Sequence, residues 1–197
     1  MKQNKKWIGT ILLSSALLLG ACGSDEINES TGTDTNQTTT EETSSESGDH
    51  GGMVHDESGE IPADLEEAEN PTYPVGSEVI IQTDHMPGMM GATGEIVGAF
   101  DSIAYEITYT DTETGEEISN HKWVVREETE NAQEEPYQAG DEVVLEAYHM
   151  PGMQGATATI DSAEDTTVYM VTYTDTETGD TVANHKWLTE DELAPAE

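Results

Sequence analysis

Residues 73–123 align with residues 137–187 at a constant offset of 64 without a gap, and 28 of the 51 aligned positions are identical. A chain of 197 residues that spends this much of its length on two copies of one unit is built from small modules, not around one large core. The identities gather in three blocks. They are HMPGM-x-GAT (His85 to Thr93, His149 to Thr157), TYTDTETG (Thr108 to Gly115, Thr172 to Gly179) and NHKW (Asn120 to Trp123, Asn184 to Trp187). An acidic, Pro-terminated stretch from Glu127 to Pro136 reads as the linker between the copies.

Each copy has a β pattern. Val79-Ile80-Ile81 and Val143-Val144-Leu145 are short apolar runs after Gly76 and Gly140, while Tyr105-x-Ile107-x-Tyr109 and Tyr169-x-Val171-x-Tyr173 alternate with period two. Thr114-Gly115 and Thr178-Gly179 mark hairpin turns. The expected fold class is all-β: two tandem small SH3-like β-barrel domains, with a two-sheet sandwich as the alternative. A unit of this size is marginal alone, which favours packing of the copies on one another.

The N-terminus is of another kind. Lys2, Lys5 and Lys6 precede an apolar stretch from Trp7 to Leu19, and Leu19-Gly20-Ala21 lead into Cys22, the sole cysteine. This resembles a bacterial lipoprotein signal peptide (1–21), with Cys22 becoming the lipidated first residue of a chain anchored at the extracytoplasmic face of the membrane. Residues 22–70 are Ser/Thr/Glu-rich and read as a disordered acidic tether. The organisation expected is thus tether, repeat 1 (71–126), linker (127–136) and repeat 2 (137–193).

Charge then excludes a function class. The chain holds 42 Asp and Glu against 6 Lys and Arg, a formal net charge of −36, and of the basic residues only Lys122, Arg126 and Lys186 lie after Cys22. Nucleic acid is not a partner, because phosphate binding requires clustered Lys and Arg.

Soft ligands recur where the acid does not. In Met86-Pro87-Gly88-Met89 and Met150-Pro151-Gly152-Met153, Pro then Gly at the centre of a four-residue turn predicts type II geometry, which brings the first and fourth residues together. Two thioethers then lie close, with His85 or His149 one residue upstream and Met90 an additional sulfur in repeat 1. Thioether selects Cu(I) and imidazole suits copper in either oxidation state. Methionine as adaptable filler at a barrel end is the competing reading. The tether carries a third patch of the same chemistry at His50, Met53 and His55. On a strand, His121 and Trp123 would share one face opposite Asn120 and Lys122, and likewise His185 and Trp187 opposite Asn184 and Lys186. His121 and His185 then either complete the copper sites or are hydrogen-bonded core histidines beside a buried Trp. The Asp-Thr-Glu-Thr-Gly segments lack calcium-loop spacing and read as polar turns.

The leader, the tether and the tandem HMPGM-x-GAT and NHKW blocks resemble the YdhK family of firmicute lipoproteins, which includes a copper-binding lipoprotein. The resemblance implies a surface protein that binds copper and contributes to copper tolerance. The function expected is a non-enzymatic, monomeric lipoprotein that sequesters Cu(I), and Cu(II) as a second option, with a copper exporter or another envelope copper protein as partner. The competing class is a cell-envelope adhesion or peptide- or glycan-binding module.

Overall fold

The structure is a computed structural model that describes residues 55–196. Cys22 and its leader, His50 and Met53 lie outside the described residues. β-branched and aromatic residues dominate two strands of 18 residues each, β3 (Thr93–Thr110) and β6 (Thr157–Thr174). The shorter strands are β1 (Glu66–Glu67), β2 (Glu78–Ile81), β4 (Glu117–Val125), β5 (Glu142–Val144), β7 (Thr181–Thr189) and β8 (Leu193–Pro195). The described chain is all-β, with two single 3-10 turns at Arg126–Glu128 and Glu190–Glu192.

β3 and β6 run antiparallel side by side, from Gly94 opposite Tyr173 to Tyr109 opposite Ala158. The first half of β3 therefore lies beside the second half of β6, and the reverse. β2 pairs with the start of β3 and β4 with its end; β5 and β7 do the same on β6. The result is a two-fold relation between the repeats, in which each core draws one half from each. Val79, Ile81, Met89 and Ile96 of repeat 1 pack with Tyr169, Val171, Tyr173 and Leu188 of repeat 2. Val143, Leu145, Met153 and Ile160 of repeat 2 pack with Tyr105, Ile107, Tyr109 and Val124 of repeat 1. β8 extends the exchange by pairing with β2, Val79 opposite Pro195.

Between these cores a third cluster joins Phe100 and Trp123 to Val168, Met170 and Trp187. The rings of Phe100 and Trp187 meet edge to face at 5.6 Å. The all-β class and the two copies are as read from the sequence; the boundary between packed units is not. It runs through the middle of β3 and β6, because identical repeats offer identical edges to one another, and the described residues fall within a single compact unit.

Two further expectations need correction. The tether does not extend to Asn70. Leu65 is buried in the third cluster, β1 pairs Glu66 with Asp101, and residues 55–60 form a strap over repeat 2. The alternation in NHKW also fails. Asn120 and Asn184 adopt left-handed backbone (φ 55° and 51°), and the ladder slips its register beside each of them. Trp123 enters the third cluster while Asn120, His121 and Lys122 all turn to one cavity.

Candidate metal centre

The HMPGM turns form as their sequence dictates. Met89 N–H donates to the Met86 carbonyl at 3.3 Å and Met153 N–H to the Met150 carbonyl at 3.4 Å, with Gly88 and Gly152 at φ +80° and +81°. Each turn is clasped by the Asp-Thr-Glu-Thr-Gly turn of the other repeat. Thr176 N–H and Oγ1 both donate to the Gly88 carbonyl at 3.0 Å, and Thr112 N–H and Oγ1 do the same to Gly152 at 3.0 and 3.1 Å. The polar-turn reading of these acidic segments holds: Asp111 Oδ1 accepts from Glu113 and Thr114 N–H, both at 2.8 Å.

The turns divide their methionines instead of converging them. Met89 and Met153 are fully buried in the two apolar cores, and Met90 is exposed; these three are not at the cavity. A type II turn sends its first and fourth side chains to different neighbours here because the fourth residue leads directly into the strand that feeds the core. Met86 and Met150 do line the cavity, which has a volume of about 200 Å³.

Five histidines join them: His55, His85, His121, His149 and His185. Those of the turns are each held by a glutamate of the other repeat. His85 Nε2 donates to Glu192 Oε1 and His149 Nε2 to Glu128 Oε1, both at 2.7 Å. Glu128 and Glu192 occupy the same repeat position, 64 residues apart, five residues beyond the ends of the aligned segments at Trp123 and Trp187. Their other oxygens accept Trp187 Nε1 at 3.0 Å and Trp123 Nε1 at 2.8 Å. A carboxylate on Nε2 fixes the ring tautomer and leaves a lone pair on Nδ1. The Nδ1 atoms of His85 and His149 are buried and have no hydrogen-bond partner, and the same is true of Nε2 of His121 and His185.

The electrostatics suit neutral rings at His121 and His185. Burial, with repulsion from His149 and His85, pushes His121 down to about 3. Burial again, with the surrounding histidines, holds His185 well below its ordinary value. Burial alone would raise the Glu128 carboxyl, but His149, the Val125 N–H and the Trp187 N–H outweigh it and hold it below the usual carboxylate range. Glu192 is lowered in the same way by His85 and the Thr189 and Trp123 donors. His121 meets Tyr109 edge-on at 5.8 Å and His185 meets Tyr173 at 5.9 Å, each tyrosine belonging to the adjoining core.

The structure thus gathers His55, His85, His121, His149, His185, Met86 and Met150, and leaves out Met89, Met90 and Met153. His121 and His185 both line the cavity that the turns share. No three His, Cys, Asp or Glu side chains among the described residues converge as a metal cluster. Sequence reasoning missed Glu128 and Glu192, although extending the repeat comparison past NHKW would have found them.

Comparison with known proteins agrees with the repeat. The family described as "Protein of unknown function (DUF1541)" matches residues 75–126 and again residues 139–190. The uncharacterized protein YdhK of Bacillus subtilis is 49% identical over 194 residues, covering 98% of this chain and 91% of that protein. The crystal structure of the same DUF1541 family protein superposes with a TM-score of 0.69 at 53% identity, covering 75% of this chain and 97% of that one. A solution NMR structure of the YdhK C-terminal domain gives 0.59 at 56% identity, covering 62% of this chain and 92% of that one. Matched twice within one chain and nearly end to end by YdhK, this protein belongs to the DUF1541 family.

Proposed function

We propose that the protein is a surface-anchored copper-binding lipoprotein that sequesters Cu(I) as cargo through imidazole and thioether, and so contributes to copper tolerance. The observation that carries this reading is the set of four buried imidazole nitrogens without hydrogen-bond partners around a cavity that Met86 and Met150 also line. Leaving such atoms unpaired costs about 1–3 kcal/mol each, a cost that a bound ion removes. The donor chemistry favours Cu(I): thioether is soft, imidazole suits copper, and carboxylates here serve to orient rings rather than to ligate a hard cation. Cu(II) is the second species such imidazoles accept.

The role is stoichiometric binding, not catalysis. The anchor is the diacylated Cys22, which leaves the binding unit outside the membrane as a monomer, where a copper exporter or another envelope copper protein is its partner. The acidic surface attracts cations without discriminating, and choice falls to the uncharged donors within.

The test is a titration of the exported chain with Cu(I) against a chromophoric chelator. Replacing His121 and His185 with Ala, or Met86 and Met150 with Leu, is expected to weaken binding at least about tenfold. Replacing Met89 and Met153 with Leu is expected to leave affinity within about twofold, since both pack in the cores and Leu conserves volume. Unchanged affinity in the first two variants would refute copper binding in this cavity.

A further inference from the structure

We infer that the cavity holds copper at two unequal positions, and that His55 of the N-terminal strap is a ligand of one of them. The inference rests on the copper reading above and deepens it.

The two-fold relation of the repeats predicts two equivalent half-sites. One is built on His121, which stands at the end of the second core through Tyr109, with Met150 packed on that same core. The other is built on His185, at the end of the first core through Tyr173, with Met86 in that core. In the first, the ring beside His121 is that of His149, with centres 6.1 Å apart. In the second, the ring beside His185 is that of His55, at 5.7 Å, where the repeat relation would place His85. An imidazole nitrogen sits about 2.0–2.1 Å from its ion, which puts the ring centre about 3 Å away; two rings sharing an ion therefore have centres up to about 6 Å apart. Both pairs meet that spacing.

His55 is held there by a latch that, among the described residues, forms on one repeat only. Lys186 Nζ donates to Asp56 Oδ2 at 2.8 Å and to the Glu60 carbonyl at 2.7 Å. Asn184 Nδ2 donates to the Glu57 carbonyl at 2.8 Å, and Asp56 N–H donates to the His149 carbonyl at 2.8 Å. Gly59, at φ +71°, lies against Asn184 so closely that a Cβ would fall 3.0 Å from its amide nitrogen. Among the described residues the equivalent positions of repeat 1 make no such latch: Asn120 is exposed, and Lys122 Nζ lies 4.9 Å from the centre of the Trp123 ring. The strap therefore brings to the His185 position a donor that has no counterpart at the His121 position among the described residues.

Cu(I) titration of the exported chain in competition with a chromophoric chelator, with wild type, His55→Ala, His55→Gln and His121→Ala compared, decides the matter. Two classes of bound Cu(I) are expected for the wild type. Both His55 variants should weaken one class at least about tenfold and leave the other within about twofold. His121→Ala should weaken the class that the His55 variants spare. A single class in the wild type, or both classes intact in the His55 variants, would overturn the two-position assignment while leaving copper binding itself standing. No bound copper in the wild type would instead sink the functional reading on which it rests. The His55 side chain is only 6% exposed, so near-ultraviolet circular dichroism of the buried Trp187 separates loss of a ligand from loss of fold.

Discussion

The two histidines of each repeat are held by different partners. His85 and His149 each give one N–H to a glutamate, whereas His121 and His185 lie against a tyrosine ring with Nε2 unpartnered. Burial makes the charged form of His121 unfavourable, so its value falls from 6.5 to about 3 in the folded state. Between these values the unfolded chain binds a proton that the folded chain refuses. The stability contributed by a neutral His121 is therefore complete above pH 6.5 and is lost as pH falls towards 3. The slope for one such ring is at most about 1.4 kcal/mol per pH unit. Acidification also relieves repulsion among 42 carboxylates, so the informative quantity is a difference between proteins. Urea midpoints of the copper-free chain at pH 7.5 and 5.5 are expected to fall more for the wild type than for His121→Phe, whose ring keeps the contact with Tyr109 without titrating. Equal slopes in the two proteins would mean that His121 is not buried neutral.

At the scale of elements, what the sequence disclosed was local and what it concealed was pairing. The Pro87-Gly88 turn, the Tyr105-x-Ile107-x-Tyr109 alternation and the polar hairpins each follow from a few adjacent residues, and each is present. The partner of each strand does not follow from adjacent residues. Because β2 and β5 carry nearly the same pattern, nothing in either says whether its core is completed by its own repeat or by the other. The site suffered the same fate: His85 and Met86 were legible as soft donors, but Glu192, which orients His85, arrives from 107 residues away. Met89 looked like a ligand because the turn was read correctly and its neighbours were not. The clasp between turns joins the two repeats, and Gly88 and Gly152 are its two tightest points. A Cβ at Gly152 would stand 2.4 Å from the Asp111 carboxylate at a backbone φ of +81°. Gly155 has a similar φ of +75° with nothing within 4 Å, so Gly155→Ala measures backbone strain alone. Gly152→Ala is expected to lower stability by more than Gly155→Ala, the excess being at least about 1 kcal/mol in urea unfolding. Equal losses would show that the Asp111 turn yields without cost.

For the whole molecule the exchange changes what counts as a folding unit. A repeat with a core of its own would keep that core on separation, but here Val79, Ile81 and Ile96 pack with Tyr169, Val171 and Tyr173 of the other repeat. Each large apolar side chain fully buried across that boundary contributes about 1.5–3 kcal/mol, which a solitary repeat forfeits. Cutting the chain in the exposed linker gives residues 55–134 and 135–197, each with one complete repeat. Neither fragment is expected to show a dispersed amide NMR spectrum as a monomer, and an equimolar mixture is expected to recover the spectrum of the intact chain. Since the repeats are equivalent, a fragment that does fold alone should sediment as a dimer, one copy supplying the half-core and the glutamate that the other lacks. A dispersed spectrum from a monomeric fragment would mean that a repeat can close on itself. The cavity would then be two independent sites, because the carboxylates that orient His85 and His149 cross the same boundary as the cores.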